Sequence, residues 1–410
     1  MDRFIRPVGW QRLFLFKVQL HMKTSSTRRA FTIIEVLVVV SIISLLLAIL
    51  VPALGRARDA ALITQSVANL NNLKSANMTY AADWSDRHFT AMPDDAGLVG
   101  GNCAQYVSQV ACPSQQLLGF DTNGGLWGYW IAGTLCPQSV GQCGNWPVLE
   151  PFTFAAPGSG GTGTTGTNPY TNCFGAYQMP NTKAFNTYVN NRFYDKSFYA
   201  PKDTVGTTAC EFGFENEGEY TPNPQNDQFL TFPTYIWSPA NMMAPGVFSN
   251  KQSASSFWGR PNLAGPGGFK APSFGLANAP ELKVLMMEKL WLQNRGKAPG
   301  LNGNFATPRC WLFHEAYNSA PASLFIDGHT QVCAMNTAVN DDTRTALQNN
   351  SDGTIALQAK GLWHKGTPCG TLGWFTAGAG YDPLIDLRPT SFGILTVEGI
   401  MGRDILKAGN

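Results

Sequence analysis

One acidic side chain stands where acids are least expected. Residues 31–51 read FTIIEVLVVVSIISLLLAILV, apolar except for Thr32, Ser41, Ser44 and the carboxylate of Glu35. A carboxylate near a bilayer centre costs about 2.5–3.5 kcal/mol on insertion scales, so such residues usually carry a partner and a function. The chemistry open to Glu35 is ion pairing at helix depth. A free α-amino group on Phe31, made by cleavage after Ala30, supplies the cation on a neighbouring copy. The plainer alternative is a signal anchor whose Glu35 lies shallow enough to reach the interface.

Other residues have types suited to chemistry but spacings that argue against it. His314, Glu315, Asp327 and His329 could supply metal ligands or an acid–base pair. Asp327 is already explained by an Asp-Gly turn, and a solitary His beside a strand is ordinarily a surface or hydrogen-bonded residue. Glu211, Glu215, Glu217 and Glu219 lack the liganding pattern of a calcium loop, so a solvated face is expected. Nine cysteines (103, 112, 136, 143, 173, 210, 310, 333 and 369) all follow the apolar segment, and none forms a CxxC pair. Zinc ribbons and dithiol redox motifs need tighter spacing. Up to four disulfides with one thiol left over is the better expectation in an oxidising compartment, with Cys103–Cys112 and Cys136–Cys143 as local pairings. No Walker A motif and no G-x-S-x-G elbow occurs. No metal site, cofactor or catalytic residue is expected, and the chain does not read as an enzyme.

The elements that position Glu35 are plain. As a helix, residues 31–51 span roughly 31 Å, enough to cross a hydrocarbon core of about 30 Å. Arg28 and Arg29 immediately precede it and set the N-terminal side as cytoplasmic. The chain beyond Pro52 is therefore expected outside the cytoplasm. The first 30 residues hold seven basic groups and one acid, which leaves a net charge of about −4 on the rest. The whole chain stands at only +2. Bulk electrostatics thus gives no case for nucleic-acid binding. A helical stripe continues past Pro52 through Leu62, Ser66, Leu70, Leu73, Asn77, Tyr80 and Trp84, in steps of three and four. Pro52 is expected to kink the helix rather than end it.

These residues carry a resemblance. The run from Arg28 to Leu37 (RRAFTIIEVL) is similar to the signal of type IV prepilins and type II secretion pseudopilins. The resemblance implies that a prepilin peptidase cuts between Ala30 and Phe31 and methylates the new amine. It also places the family's assembly glutamate on Glu35 and its helix-bending proline on Pro52. One departure is Ala30, where the family normally has Gly. Met22 offers an internal start that leaves a nine-residue leader. Runs 69–74 and 80–87 resemble the helix end of pilin-like proteins with a C-terminal histidine–spacer–Asp-Gly element, and Asp327-Gly328-His329 resembles that Asp-Gly. The family histidine lies nine residues before it; the nearest candidate, His314, is displaced, with twelve residues between it and Asp327. The partners implied are prepilin peptidase, other pilin or pseudopilin subunits and an inner-membrane assembly platform. The localisation implied is a single-pass inner-membrane precursor, then a periplasmic or cell-surface filament.

The head reads as short apolar runs between Gly, Pro and Asn. Charged residues are only 14% of the chain, against about 25% in ordinary soluble domains, while 12% aromatics exclude wholesale disorder. Residues 229–237, 310–313, 323–326, 330–334 and 392–397 read as strands, and 280–293 as a short amphipathic helix. Residues 324–330 (LFIDGHT) carry a hairpin signal. The fold class expected is α+β: a long N-terminal helix, transmembrane then amphipathic, packed on a mostly antiparallel β-sheet head with large loop insertions. The organisation expected is a leader at 1–30, an assembly helix at 31–52, an amphipathic helix at 53–87 and a head at 88–410, with insertions over about 97–280. The functional expectation is a pilin-like subunit of a pilus or pseudopilus. Two alternatives stand beside it: a head that binds glycan through exposed aromatics of the insertions, and a surface protein that is anchored but never polymerises.

Overall fold

A computed structural model describes residues 32–90, 117–132, 146–149, 176–216, 218–221, 233–248, 270–288, 320–334, 337–338, 340–341, 392–393 and 396–406. The chain divides into two units, Met1–Arg56 and Ala57–Asn410. Helix α1 (Ile33–Asp83) belongs to both and runs 51 residues, with Pro52 inside it. The helix persists there because a proline removes one donor and one backbone bond, while the surrounding Leu and Ala residues favour continuation.

In the first unit every side chain of α1 is exposed. In the second, α1 buries Ser66, Leu70, Leu73, Ala76, Asn77, Tyr80 and Ala81, the stripe that its periodicity predicts. Leu62 at one end is half-buried, and Trp84 at the other is exposed but stacks on Tyr80 (ring centroids 5.6 Å apart, 17° between planes). Ser85 and Asp86 both take left-handed backbone (φ 60°), which stops the helix. The chain then returns along residues 272–274. His88 N–H donates to the Pro272 carbonyl at 3.1 Å, and Asp86 Oδ2 accepts from the Ser273 hydroxyl at 2.5 Å.

Two sheets follow. In the smaller, β1 (Leu117–Phe120) pairs antiparallel with β2 (Leu126–Ala132), and β2 pairs parallel with β3 (Trp146–Leu149). The larger is an antiparallel sheet of β4 (Tyr235–Trp237), β5 (Val284–Glu288), β6 (Ala322–Phe325) and β7 (Thr330–Val332), in that order. Its register pairs Tyr235 with Glu288, Met287 with Ser323 and Leu324 with Thr330. The architecture is α+β, a long helix with mainly antiparallel sheets.

Two local expectations are overturned. Residues 284–288 form a strand, not an amphipathic helix, and all five are buried. A short apolar run buried on both faces has no alternation to betray it, so its Leu and Met spacing mimics a helix. Phe392, Gly393 and Val397 lie in turns rather than in a strand, with left-handed backbone at Gly393 (φ 68°) and at the adjoining Glu398 (φ 66°). The expected strand at 310–313 lies outside the described residues.

The core is aromatic. Tyr80 of α1 meets Phe89, Phe185 and Tyr188, and Phe185 in turn meets Trp237 edge-on at 5.0 Å. Tyr177, Phe193, Phe198, Tyr199, Tyr220 and Tyr235 are buried too. The aromatics within 97–280 whose side chains are described thus chiefly fill the interior.

Candidate functional site

The N-terminal signal begins with a capping box that the apolar run hides from a reading of hydropathy alone. Thr32 precedes the first helical residue, Ile33, and Glu35 stands at the third helical position. Glu35 N–H donates to Thr32 Oγ1 at 3.2 Å. In return Glu35 Oε2 accepts from the Thr32 N–H at 2.8 Å and the Thr32 hydroxyl at 2.9 Å. Thr-x-x-Glu is the reciprocal arrangement that satisfies two orphan donors at a helix start. Its chemical consequence is directional. Both Thr32 donors fall on one oxygen, and Glu35 Oε1 has no hydrogen bond among the described residues. The carboxylate is held in place by its own helix through Oε2, which leaves Oε1 without a partner among the described residues. Ala30 and Phe31 lie outside the described residues.

Downstream of Glu35, Ile33–Leu54 present apolar side chains on every face, none of them buried. A helix apolar all round is stable only against lipid or other apolar helices. This helix is long and apolar enough to cross a membrane.

A second group of residues lies in the head. The hairpin between β6 and β7 has a three-residue loop, Ile326-Asp327-Gly328. The Gly328 N–H donates to the Phe325 carbonyl and the Phe325 N–H to the His329 carbonyl, each at 2.9 Å. Gly328 takes φ 92°, so this position closes the loop as a bulge that favours glycine. Asp327 Oδ1 accepts from the His329 N–H at 3.0 Å and lies 2.6 Å from His329 Nδ1. The His329 ring stacks on Phe325, with centroids 4.4 Å apart and 8° between planes. Both polar side chains are thus consumed in shaping the loop.

The loop is docked on α1. Lys74 Nζ donates to the Gly328 carbonyl at 3.1 Å, and the Thr330 hydroxyl to Asn71 Oδ1 at 3.4 Å. A side chain at position 328 would run into Lys74. Nothing in the spacing of Asp327 and His329 identifies Lys74 as their neighbour; only the fold does. His314 and Glu315 lie outside the described residues, so the histidine–spacer half of the element has no described counterpart. Among the described residues no group of three His, Cys, Asp or Glu side chains could hold a metal.

A buried lock deeper in the head fixes α1 against the sheet. The Ser66 hydroxyl donates to Glu288 Oε1 at 2.7 Å and lies 2.8 Å from the Tyr235 hydroxyl. Glu288 Oε2 accepts from the Ala322 N–H at 2.9 Å, which ties β6 to the same carboxylate. Burial first, then the adjacent Glu288 charge, raises the Tyr235 phenol above its ordinary range. The small Ser66 in the helical stripe is a visible signal in the sequence; its partners Tyr235 and Glu288 are not.

The acidic run does not converge on a site. Glu211 and Glu215 are exposed, Glu219 pairs with Lys183 at 2.5 Å, and Glu217 lies outside the described residues. Cys210 and Cys333 are both buried thiols, so the expectation of a single thiol left over is corrected. Burial pushes the Cys333 thiol up to about 12, which leaves it inert as a nucleophile. The other seven cysteines, including both proposed local pairs, lie outside the described residues.

Comparison with known proteins bears on the first of these regions. The prokaryotic N-terminal methylation motif matches residues 25–51, and this stretch is the type IV prepilin signal. The motif supports a pilin-like precursor. It implies processing by a prepilin peptidase and assembly with other pilin-type subunits, and the apolar helix fits the single-pass anchor of such a precursor. No curated protein and no solved structure matches the chain.

Proposed function

We propose that this chain is a structural subunit of a type IV pilus or a type II secretion pseudopilus. It is made as an inner-membrane precursor with residues 88–410 outside the cytoplasm. Prepilin peptidase removes residues 1–30 between Ala30 and Phe31, and the new amine of Phe31 is methylated. The observation that carries this reading is the methylation motif laid over the first stretch of α1, which is apolar on all faces and buries none of them in its own protein.

The mechanism is assembly rather than turnover. Outside the membrane the alternative to helix–helix packing is water, and each Leu, Ile or Val buried is worth about 1.5–3 kcal/mol. That attraction has no direction along the helix axis. Glu35 supplies the direction: its open Oε1 meets the Phe31 amine of a neighbouring subunit only at one axial register. A subunit out of register leaves a carboxylate unpaired in apolar surroundings, at a cost of about 3–5 kcal/mol.

The test is Glu35→Ala, followed through membrane and sheared-filament fractions. Cleavage and membrane insertion are expected to persist while the subunit is lost from the polymer. Incorporation at the wild-type level would refute the register role of Glu35.

A further inference from the structure

Lys283 and Asp404 form a buried ion pair in the head, with side chains 0% and 1% exposed. Lys283 opens β5, and Asp404 lies in the closing segment, 121 residues away in sequence. Their contacts are unusually complete. Lys283 Nζ is 2.9 Å from Asp404 Oδ2, 2.7 Å from Thr396 Oγ1 and 3.2 Å from Ser238 Oγ. Asp404 Oδ2 also accepts the Val284 N–H at 2.8 Å, and Oδ1 accepts the Thr396 hydroxyl at 2.5 Å. The Asp404 backbone N–H donates to the Leu282 carbonyl at 2.9 Å, so the residue is pinned on both sides of its side chain.

We propose that Lys283 and Asp404 condense into an intramolecular isopeptide bond joining β5 to the C-terminal segment. The geometry contains each part such a reaction needs. One proton transfer within the pair supplies the neutral amine and carboxylic acid that the condensation needs, and it removes the desolvation penalty of two buried charges. Burial acts in that direction on Lys283, lowering its hold on the proton although Asp404 opposes the change. The lone pair on Nζ then attacks Cγ of Asp404. The Val284 N–H stands at Oδ2, where negative charge develops, as an oxyanion donor does. Thr396 is the relay. Its oxygen accepts an N–H from Nζ while its own proton points at Oδ1, so the proton shed by nitrogen reaches the leaving oxygen through one hydroxyl.

The balance closes without a further reactant. An N–C bond forms, the Cγ–Oδ1 bond breaks, and Oδ1 departs as water with the second amine proton and the acid proton. No atom changes oxidation state. Two buried charges become one neutral amide, which retains an N–H for Ser238 or Thr396 and a carbonyl for Val284.

Peptide mapping of the full chain, purified in detergent, reduced, alkylated and digested with trypsin, decides the matter. The expected product is a branched peptide in which residues 271–289 are joined to residues 404–407, lighter than the two parts by one water and uncut after Lys283. Separate linear peptides 271–283 and 404–407 would overturn the proposal. So would a lost water that maps to Asp327-Gly328, where a succinimide forms with the same mass change. Lys283→Arg should abolish the branch, and Thr396→Val should leave a linear fraction that still contains Lys283. Complete branching in Thr396→Val would remove the relay. Should either variant fail to fold, the wild-type map alone still decides.

Discussion

Between Ile33 and Leu54, helix α1 is apolar on every side and exposes all of it, whereas between Ser66 and Ala81 it buries one stripe and leaves the other faces to water. The same helical backbone thus serves two solvents. The first stretch specifies no particular neighbour, since any apolar surroundings satisfy it, and its single polar device, Glu35, must provide the selectivity. The second stretch specifies its neighbour in detail through Leu70, Leu73 and Tyr80, and through Ser66 meeting Glu288 and Tyr235. Uniform hydrophobicity makes a surface that can leave one environment for another. Patterned hydrophobicity makes a permanent joint.

The strongest way to break this contrast is to truncate the joint. Leu73→Ala should destabilise the head by about 2–5 kcal/mol, because a fully buried leucine loses both transfer energy and packing. Denaturant unfolding of the detergent-solubilised chain measures it, and an effect under about 1 kcal/mol would place Leu73 outside the joint. Ser66→Ala should cost less, about 1.5–3 kcal/mol, since it withdraws one donor from a buried carboxylate. The same measurement checks it, with Tyr235→Phe as the companion variant for the shared hydroxyl.

Acidity sharpens the contrast from another side, through a histidine buried in the head. His88 is fully buried, packs edge-on against Trp237 at 4.9 Å and has no hydrogen bond to its ring nitrogens among the described residues. Burial is the chief cause that lowers its pKa from 6.5 to about 3. The unfolded chain therefore binds the extra proton in that interval. The stability due to neutral His88 is complete above pH 6.5 and is lost as pH falls toward 3, at about 1.4 kcal/mol per unit. Melting curves at about pH 7 and about pH 5 should separate the wild type from His88→Phe, which lacks this slope. Equal slopes would show that His88 is not buried as neutral imidazole. The smallest effect is expected from Leu46→Ala in the uniform stretch. Head stability should stay within about 0.5 kcal/mol, the range for a side chain with no contact to lose.

What the sequence discloses follows the same division. The apolar run, the misplaced Glu35 and the stripe from Leu62 to Tyr80 are local patterns, and local patterns are readable by period and charge. The hairpin at Asp327-Gly328 is readable for the same reason, since a turn is specified by the residues within it. Lys74 against Gly328, Ser66 against Glu288 and Lys283 against Asp404 are joined across long stretches of chain, and no period encodes them. The strand at 284–288 fails differently. It is covered on both faces, so hydropathy carries no alternation and residue spacing misleads. Glu35 shows an intermediate case. Its place in the apolar run is conspicuous, yet its capping partnership with Thr32 sits in a four-residue motif that the surrounding hydrophobicity masks.

The measurement closest to the central claim is the mass and sequence of the mature N-terminus, taken from cells with an active prepilin peptidase. A chain that starts at N-methylated Phe31, with residues 1–30 gone, is the predicted result. A chain that keeps its basic leader, or starts anywhere other than Phe31, would contradict the assembly account, because Glu35 would then have no processed amine to meet.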